Sequence, residues 1–280
     1  MRLLHEAGLV RLRACRHGVM AYLTSDAHVG HSLETYGEWA EGEVELLSAF
    51  VKAGDVVVDV GANVGTHAVP LAAKVGPTGL VLAFEPQRVV HALLTSNLVT
   101  NGHLHARALH AAVGAAPGSL LVPTIDYAAT GNFGGVGLGA STQGEPVDVV
   151  PLDAVGLEKL TLLKIDVEGM EGQVLAGAMQ TLKQCQPVIY LEHNAPNGAP
   201  DVLQRLLALG YSLRWHFSPF FRTTNFAGST ENVFGPTVDA NVLALPPSLA
   251  AVGAAFPEVQ GADDTAARAL SRATRTATRV

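Results

Sequence analysis

The stretch 56–65 constrains the fold of this chain more than any other, because an apolar run there leads into a carboxylate and a turn with two glycines. It reads Val-Val-Val-Asp-Val-Gly-Ala-Asn-Val-Gly, and a second apolar run, 80–84, ends in Glu85. β-Branched residues favour strands, and a segment with helical character follows the turn. Such a strand–turn–helix–strand unit holds a nucleoside, because a carboxylate about twenty residues after the last glycine reaches the ribose hydroxyls.

The charge of this turn indicates which nucleoside it holds. A dinucleotide site usually reads G-x-G-x-x-G, which lets the backbone approach a pyrophosphate. Here the spacing is Gly61-x-Asn63-x-Gly65, and Asp59 stands just before the first glycine. A carboxylate repels a pyrophosphate, whereas S-adenosylmethionine (SAM) has no phosphate and carries an ammonium and a sulfonium. We therefore predict a SAM site, with another nucleotide site or a purely structural turn as the alternatives.

Composition narrows the class of protein. The chain has 280 residues and 48% hydrophobic content, enough for one sizeable core in an α/β domain. Its net charge of −7 argues against nucleic acid as a partner, because phosphate binding needs a basic surface. No stretch reaches the ~18 apolar residues of a membrane span, the start lacks the long apolar run of a secretion signal, and neither cysteine has a partner at metal-site spacing. We expect a cytoplasmic protein without nucleic acid or a membrane span, and leave a homo-oligomer open.

Strand and helix patterns alternate from residue 55 onward, which predicts an α/β fold with a doubly wound, mostly parallel, seven-stranded sheet. The predicted strands are 56–60, 80–84, 105–113, 160–166, 187–192, 211–217 and 240–245. The predicted helices are 41–52, 66–75, 88–101, 168–184 and 199–209. Alternating residues in 9–25 predict a β-hairpin outside this sheet. The glycine-rich insertion 114–150 is either a loop that approaches a ligand or a linker without function.

Several motifs together resemble those of the FkbM-type SAM-dependent methyltransferases. They are 55–65, 84–86, Asn97-Leu98 with Asn101, 111–114 and, as the most specific one, Lys-Ile-Asp-Val-Glu-Gly-Met-Glu at 164–171. The resemblance covers roughly residues 36–195. It implies a class I methyltransferase fold, which is Rossmann-like, and O-methylation of a hydroxyl on a sugar, a glycolipid or a natural product. The small-molecule or saccharide acceptor would be defined by the parts of the chain outside the match.

The resemblance also suggests a division of the chain. We expect an N-terminal hairpin and lid segment in 1–40, the methyltransferase domain in 41–248 and an Ala/Arg-rich tail in 249–280. Four arginines lie at helical spacing in that tail and are interpreted as a solvated face or as a site for an anionic partner.

Seven residues are predicted to hold SAM: Asp59, Gly61, Asn63, Gly65, Glu85, Trp39 and Glu41. We expect Asp59 to bind its amino-acid portion and Glu85 its ribose hydroxyls, and the backbone N–H groups of 61–65 to meet its carboxylate near a helix N-terminus. Trp39 and Glu41 are assigned to a lid over the cofactor, because aromatic faces attract cations such as the sulfonium. A plain packing role for Trp39 is the alternative.

Catalysis is assigned to strand ends, where ligands lie in an open α/β sheet. A sugar hydroxyl is a weak nucleophile, so a base or a metal must assist it. His193 is a candidate base, since its ordinary pKa lies near neutrality. Asp166, Glu192 and Glu168 form an oxygen-rich group that could instead hold Mg²⁺. Glu168 and Glu171 have a further, non-catalytic interpretation as acids at a helix N-terminus.

Two rival functions are carried forward. An NAD(P)-linked oxidoreductase would use a related sheet, but the glycine spacing and Asp59 speak against it. A non-catalytic SAM-binding module would have lost its polar strand ends, which are retained here at Asp166, Glu192 and His193.

Overall fold

The computed structural model describes residues 2–138, 141–193 and 199–277. In chain order the strands are β1 (Leu3–Ala7), β2 (Val10–Cys15), β3 (Gly18–Leu23), β4 (Val56–Val60), β5 (Leu80–Phe84), β6 (Ala106–Leu109), β7 (Ala112–Val113), β8 (Gly118–Val122), β9 (Glu145–Val150), β10 (Leu162–Ile165), β11 (Val188–Glu192), β12 (Ser212–Pro219) and β13 (Val238–Leu245). The helices are α1 (Val29–Thr35), α2 (Glu41–Ala49), α3 (Ala68–Val75), α4 (Arg88–Thr100), α5 (Glu171–Ala176), α6 (Met179–Cys185), α7 (Pro200–Ala208) and α8 (Ala266–Ala277). Short 3₁₀ helices span Leu152–Val155 and Pro247–Ala255.

The central sheet has seven strands in the order β12-β13-β11-β10-β4-β5-β6. Only β13 runs antiparallel to its neighbours, so the predicted doubly wound, mostly parallel sheet is confirmed. In the sheet, β4 lies between β5 and β10. The chain continues from β4 to β5 on one side and later adds β10 on the other side. The crevice beyond the carboxyl ends of β4 and β10 is therefore the switch point at which such sheets bind ligands.

Side-chain alternation divides the core into two layers. In β4, Val57 joins the apolar cluster under α2, α3 and α4, while Val58 joins the cluster under α5, α6 and α7. Both residues are fully buried, as expected for strands covered on two faces. Successive side chains continue to alternate between the two faces just past the strand ends. This alternation determines which polar side chains lie on the same face of the sheet.

The hairpin predicted for 9–25 is confirmed as β2 and β3, and a further strand, β1, extends it to a three-stranded antiparallel sheet, β1-β2-β3. The extra strand β1 is mostly exposed and lacked an apolar alternation that would have marked it. Two side-chain amides, that of Asn97 in α4 and that of Asn101 directly after it, attach this sheet. Asn97 Oδ1 accepts from the N–H of Ala21 (2.7 Å), and Asn101 Oδ1 accepts from the N–H of Val19 (2.8 Å). Asn97 Nδ2 also donates to the carbonyl of Ala21, and Asn101 Nδ2 to the carbonyl of Val19. The two amides thus make the hydrogen bonds to β3 that a neighbouring strand would otherwise make.

The insertion 114–150 and the chain end are more ordered than predicted. Strands β8 and β9 pair with each other and with β7 to form a small sheet. The predicted helix 168–184 is two helices, α5 and α6, which are separated at Gly177. In the tail, Arg272 forms an ion pair with Asp264 (2.6 Å) instead of facing solvent as part of a stripe. The boundaries at 40 and 248 stay predictions, and no helix in the described residues is long and apolar enough to cross a membrane.

Candidate functional site

A cavity of ≈ 290 Å³ lies at the carboxyl ends of the central strands. Its charged and amide lining side chains are Glu43, Asn63, Glu85, Gln87, Asn132, Lys164, Asp166, Glu168, Glu192, Asp239 and Asn241, with His28 and His67. The lining side chains at strand ends point to the same face of the sheet. Glu85 continues the alternation of Val81 and Ala83, and Glu192 continues that of Val188 and Tyr190. The cavity therefore belongs to the face of the sheet that α2, α3 and α4 cover.

Glu85 lines the part of the cavity next to the turn 61–65, which we call the first half of the cavity. Its Oε2 accepts from the N–H of Asn63 (3.0 Å) and its Oε1 from the N–H of Gln87 (2.8 Å). Burial raises the pKa of Glu85 to about 7, even though these two N–H groups favour the carboxylate. A carboxylate oxygen can accept more than one hydrogen bond, and Glu85 lines the cavity, so the group has acceptor capacity beyond these two bonds.

The turn 61–65 contributes Gly61 and Asn63 to the cavity wall, but its backbone N–H groups are used within the protein, so the predicted contact of these groups with SAM stays a prediction. Each N–H group has a partner in the protein: Gly61 and Ala62 donate to the carbonyl of Phe84 (3.0 and 2.9 Å), Asn63 to Glu85, Val64 to Asn63 Oδ1 (2.7 Å) and Gly65 to the carbonyl of Ala62 (2.9 Å). All N–H groups of the turn are hydrogen-bonded within the protein because Asn63, with φ +50°, adopts the left-handed conformation. Side chains that follow the turn, Thr66 and His67, line the cavity as well.

Lys164 lies at the centre of the site and was not among the predicted site residues. Its Nζ is 3.4 Å from Asp59 Oδ1 and 3.1 Å from Asp166 Oδ2, and the side chain is 3% exposed. Burial alone would lower the pKa of Lys164, but the carboxylates of Asp166, Asp59 and Glu43 outweigh it and raise the pKa. A lysine inside an otherwise apolar strand was the sequence signal that could have identified it.

Asp59 does not line the cavity, in contrast to its predicted contact with the SAM amino group. Its side chain is fully buried, and the cation it faces is Lys164. Glu41 is also displaced from its predicted place: its carboxylate lies 2.7 Å from His17 Nε2, next to Arg16, and not in the cavity wall. Trp39, from the same segment, does line the cavity.

Asp166 and Glu192 form a hydrogen-bonded pair of carboxyl groups across neighbouring strands. Lys164 outweighs the effect of burial and lowers the pKa of Asp166, whose side chain is 41% exposed to the cavity. Burial, together with the charge of Asp166, raises the pKa of Glu192 to about 10. At neutral pH the pair therefore holds one proton, with Asp166 as the carboxylate and Glu192 as the acid.

The predicted Mg²⁺ site at Asp166, Glu192 and Glu168 has no support in the geometry. Within residues 2–138, 141–193 and 199–277, no three His, Cys, Asp or Glu side chains are grouped in a way that could hold a metal ion. Glu168 does line the cavity, and burial followed by the charge of Asp166 raises its pKa. Glu171 instead accepts from the N–H of Gly169 (3.0 Å) at the start of α5, as its structural interpretation predicts.

We predict that Glu192→Gln changes the pH dependence of stability. Because the folded pKa of Glu192 is raised above its unfolded value, wild-type stability should be lost as pH rises from about 4.5 toward 10. Glutamine stays neutral and keeps a donor for Asp166, so the variant should match the wild type at pH 5 and melt at least ~3 °C higher at pH 9. Calorimetric melting at both pH values measures this. The exposed Glu158→Gln is the control, and parallel pH slopes for wild type and Glu192→Gln would contradict the assignment.

His193 is not in the cavity wall, which corrects its assignment as a base. It lies one position beyond Glu192 and therefore points to the opposite face of the sheet, where its ring packs on Trp215 at 5.6 Å between centroids. Burial lowers the pKa of His193, and its Nε2 lies 3.4 Å from the backbone N of Ala199. The histidines that do line the cavity are His28 and His67, which no spacing in the sequence had marked.

Aromatic side chains form the other wall: His28, Trp39 and Phe220 line the cavity, Phe234 packs against all three, and we call the four residues the aromatic wall. The ring centroids of Trp39 and Phe220 are 4.7 Å apart, and those of Phe220 and Phe234 5.4 Å. His28 contacts Phe220 edge-on at 5.8 Å. This wall joins residues 28–39 to residues 220–234, two segments that lie far apart in the sequence.

Tyr36 holds the connection 220–237, which carries Phe220 and Phe234. Its hydroxyl donates to the carbonyl of Glu231 (2.9 Å) and accepts from the N–H of Val233 (2.8 Å). Its own carbonyl accepts from the N–H of Ala227 (2.9 Å). The side chain is 1% exposed, so the connection is fixed by a buried residue of the N-terminal segment.

The glycine-rich insertion closes the cavity from above, in agreement with the first of its two interpretations. Gln87 Nε2 donates to the carbonyl of Phe133 (2.7 Å), and the hydroxyl of Tyr127 donates to Gln87 Oε1 (3.0 Å). Gly134 and Gly135 thereby enter the cavity wall. A Cβ on Gly134 would lie 3.0 Å from Asn63 Nδ2, so the backbone approaches the turn closely.

A Rossmann-like sheet with an acidic, partly aromatic cavity at its switch point is the arrangement of a nucleoside-dependent transferase. The sequence model of the methyltransferase FkbM domain matches residues 59–213, more than half of the chain. The chain therefore belongs to the FkbM family of SAM-dependent methyltransferases, as the motifs had indicated. No curated protein matches the sequence.

Solved structures with a similar arrangement are distant. An FkbM methyltransferase from Methylobacillus flagellatus is 16% identical over 68% of this chain and 43% of that one, with a TM-score of 0.44. A SAM-dependent O-methyltransferase from Thermotoga maritima is 15% identical over 74% and 64% of the two chains, with a TM-score of 0.42. M. jannaschii TYW2 in complex with AdoMet is 12% identical over 87% and 88%, with a TM-score of 0.45. This chain thus spans less than half the length of the Methylobacillus protein.

Proposed function

We propose that this chain is a SAM-dependent O-methyltransferase that acts on a hydroxyl of a sugar, a glycolipid or a natural product. The observation that supports the proposal is the hydrogen-bonded pair of carboxyl groups, Asp166 and Glu192, in the wall of a cavity at the switch point. A hydroxyl that gains a methyl group must lose its proton, and this pair is placed to receive it.

The residues of the first half of the cavity fit SAM. Glu85 would accept from the two ribose hydroxyls, and Lys164 with Thr66 would bind the carboxylate, because the N–H groups of the turn are already used. The apolar side chains of Pro86, Leu138 and Val167, which line the same cavity, would contact the adenine. When bound, SAM supplies an electrophilic methyl group on a positively charged sulfur.

Asp166 is the proposed base. As the new O–CH₃ bond forms and the S–CH₃ bond breaks, with its electron pair going to sulfur, the hydroxyl proton becomes strongly acidic. A carboxylate that Lys164 keeps ionised can then take it, and Glu192 stabilises the pair by donating a hydrogen bond. Lys164 stays protonated throughout and prevents Asp166 from being neutralised before the acceptor arrives.

The assignment of Glu85 predicts a binding defect. Glu85→Gln should weaken binding of S-adenosylhomocysteine about 10- to 100-fold, because hydrogen bonds to a charged acceptor contribute ~1.5–3 kcal/mol. Titration calorimetry measures it, with NADH as a parallel ligand for the oxidoreductase alternative.

Glu41→Gln is the matched control for this titration, because Glu41 is equally buried but lies outside the cavity wall. Its affinity should stay within about twofold of the wild type. Equal affinities for Glu85→Gln and the wild type would remove Glu85 from the site, and binding of NADH in place of S-adenosylhomocysteine would overturn the methyltransferase proposal.

A further inference from the structure

Glu38 is a buried carboxylate that lies outside the cavity wall and is bonded to the connection 220–237. Its side chain is 6% exposed, and its Oε2 accepts from Arg16 Nε (2.7 Å) and from the N–H of Phe226 (2.7 Å). Arg16 Nη2 donates in turn to the carbonyl of Thr224 (2.7 Å). Phe226 and Thr224 both belong to the connection, which is therefore held by a charged pair of the N-terminal segment.

The backbone of the same residue fixes the position of Trp39. The carbonyl of Glu38 accepts from the hydroxyl of Ser32 (2.6 Å), a residue of α1 that is 1% exposed. Trp39 follows directly in the chain, and its ring centroid lies 4.7 Å from that of Phe220. The side chain of Glu38 thus holds the connection that carries Phe220, while its backbone holds Trp39. The two rings are positioned through one residue.

The contacts of Glu38 are stronger than the other charged contact of the connection. Hydrogen bonds between ionised partners are shorter and stronger than neutral ones, and they gain strength where water is excluded. Arg222 also forms an ion pair, with Glu45 (3.0 Å), but the Glu45 side chain is 56% exposed, and such pairs contribute little. We therefore expect the connection to depend on Glu38 rather than on Glu45.

The aromatic wall limits the part of an acceptor that can lie on it. Trp39 and Phe220 line the cavity, and both rings are half-buried. Flat apolar surfaces, such as an aromatic ring or the C–H face of a pyranose, pack on rings of this kind. A charged group would lose hydration there without gaining a hydrogen-bond partner. An uncharged ring face is therefore the surface that this wall fits.

On the basis of the proposed function, we propose that Glu38 is a positioning residue for the acceptor. It holds Trp39 and Phe220 in the arrangement on which an uncharged ring face of the acceptor lies. Glu38 is not among the residues that line the cavity, so its effect is exerted through the aromatic wall. Removal of its carboxylate releases the connection from Arg16 and weakens acceptor binding, whereas the cofactor side of the cavity, which is built on the central strands, is unchanged.

The test uses 4-methylumbelliferyl β-D-glucopyranoside, an uncharged compound with a flat ring system and free hydroxyls. It is titrated into the protein saturated with S-adenosylhomocysteine, and ligand-observed NMR measures its affinity. We expect the wild type to bind it and Glu38→Ala to bind it at least ~5-fold more weakly, because the wall is no longer preorganised. Absence of binding to the wild type, or equal affinities of the two proteins, would overturn the proposal.

Glu38→Gln keeps the size of the side chain and isolates the effect of its charge. Glutamine can still accept from the N–H of Phe226, but it no longer forms an ion pair with Arg16. Its affinity for the same compound should fall between those of the wild type and Glu38→Ala. An affinity equal to that of the wild type would show that the charged pair does not position the wall, and would contradict this part of the proposal.

Trp39 supplies a spectroscopic signature of the wall itself. The chain has two tryptophans, and Trp215 is fully buried, so quenching of fluorescence by acrylamide reports on Trp39. In both Glu38 variants, measured below their melting transitions, we expect the quenching constant of Trp39 to increase, in Glu38→Ala by at least ~2-fold. An unchanged quenching constant would show that Glu38 does not hold the wall.

Glu41→Gln is the matched control for these measurements. Glu41 is as buried as Glu38 and lies near the same arginine, but its printed partners are Arg16 and His17 and not residues of the connection 220–237. Affinity for the glucoside and quenching of Trp39 should both match the wild type. Losses equal to those of Glu38→Gln would show that any buried carboxylate of this segment has the same effect, and would overturn the proposal.

Failure of this inference is distinguishable from failure of the proposed function. If the wild type does not bind S-adenosylhomocysteine, the function itself is contradicted, whereas intact cofactor binding without binding of the glucoside contradicts only the inference. In Glu38→Ala, the affinity for S-adenosylhomocysteine should stay within about threefold of the wild type. A loss of more than about tenfold would assign the aromatic wall to the cofactor and overturn the positioning role.

Discussion

Asp166→Asn is expected to lower single-turnover methyl transfer by about 10²- to 10⁴-fold, the usual contribution of a positioned base. Asparagine keeps the size of the side chain and can still accept from Lys164, but it cannot take a proton from the acceptor. Because Lys164 and Glu85 are unchanged, affinity for S-adenosylhomocysteine should stay within about threefold of the wild type. Rapid-quench measurement of methyl ether formation, with calorimetry for the cofactor, gives both numbers.

Glu171→Gln is the control for this comparison, since Glu171 belongs to the same motif but contacts the N–H of Gly169 and does not line the cavity. Its turnover should be close to that of the wild type. If Asp166→Asn retained more than about a tenth of the wild-type rate, Asp166 would not be the base and the carboxyl pair would lose its proposed role.

Gly61→Ala is expected to destabilise the protein by at least ~3 kcal/mol and to abolish detectable cofactor binding. A Cβ on Gly61 would lie 1.8 Å from the carbonyl oxygen of Asp166 and 2.9 Å from its carbonyl carbon. The backbone cannot yield, because the N–H of Asp166 donates to the carbonyl of Val60 (2.9 Å) and fixes the two strand ends together. A φ of +79° at Gly61 adds conformational strain for any other residue.

Gly156→Ala separates strain from steric overlap. Gly156 also has a left-handed conformation, with φ +69° and ψ +41°, but a Cβ there would meet nothing within 4 Å. It should cost only the ~1–2 kcal/mol of that conformation. Urea unfolding compares the two variants, and equal losses would show that the contact with Asp166 is not what requires glycine at position 61.

The alternation of side chains along a strand, which has a period of two residues, predicts most of the fold and part of the site. The continuous apolar runs predicted the parallel strands, and the carboxyl ends of those strands brought Glu85, Asp166 and Glu192 to one cavity. The same period explains the error at His193: adjacent residues of a strand point to opposite faces, so Glu192 and His193 could not both reach the site.

Contacts between distant segments were outside the reach of the sequence. Glu41 is in a segment that does contribute Trp39 to the cavity, but Arg16 and His17 attract its carboxylate to another place. Asp59 is neutralised by a lysine more than a hundred residues away, a pairing that depends on the register of β4 and β10. No local pattern carries such information, since it follows from tertiary structure alone.

The position of Tyr36 has a consequence for engineering and for divergence within the family. The central strands build the half of the cavity that contains Glu85, whereas the aromatic wall depends on a loop near the end of the chain that is fastened to a residue near its beginning. With the function proposed above, we therefore expect that acceptor preference can change without disturbing the half that would hold the nucleoside. A loop exchanged between two such enzymes should retain its shape only when the residue at position 36 is exchanged with it, so these two segments are expected to be inherited as a unit.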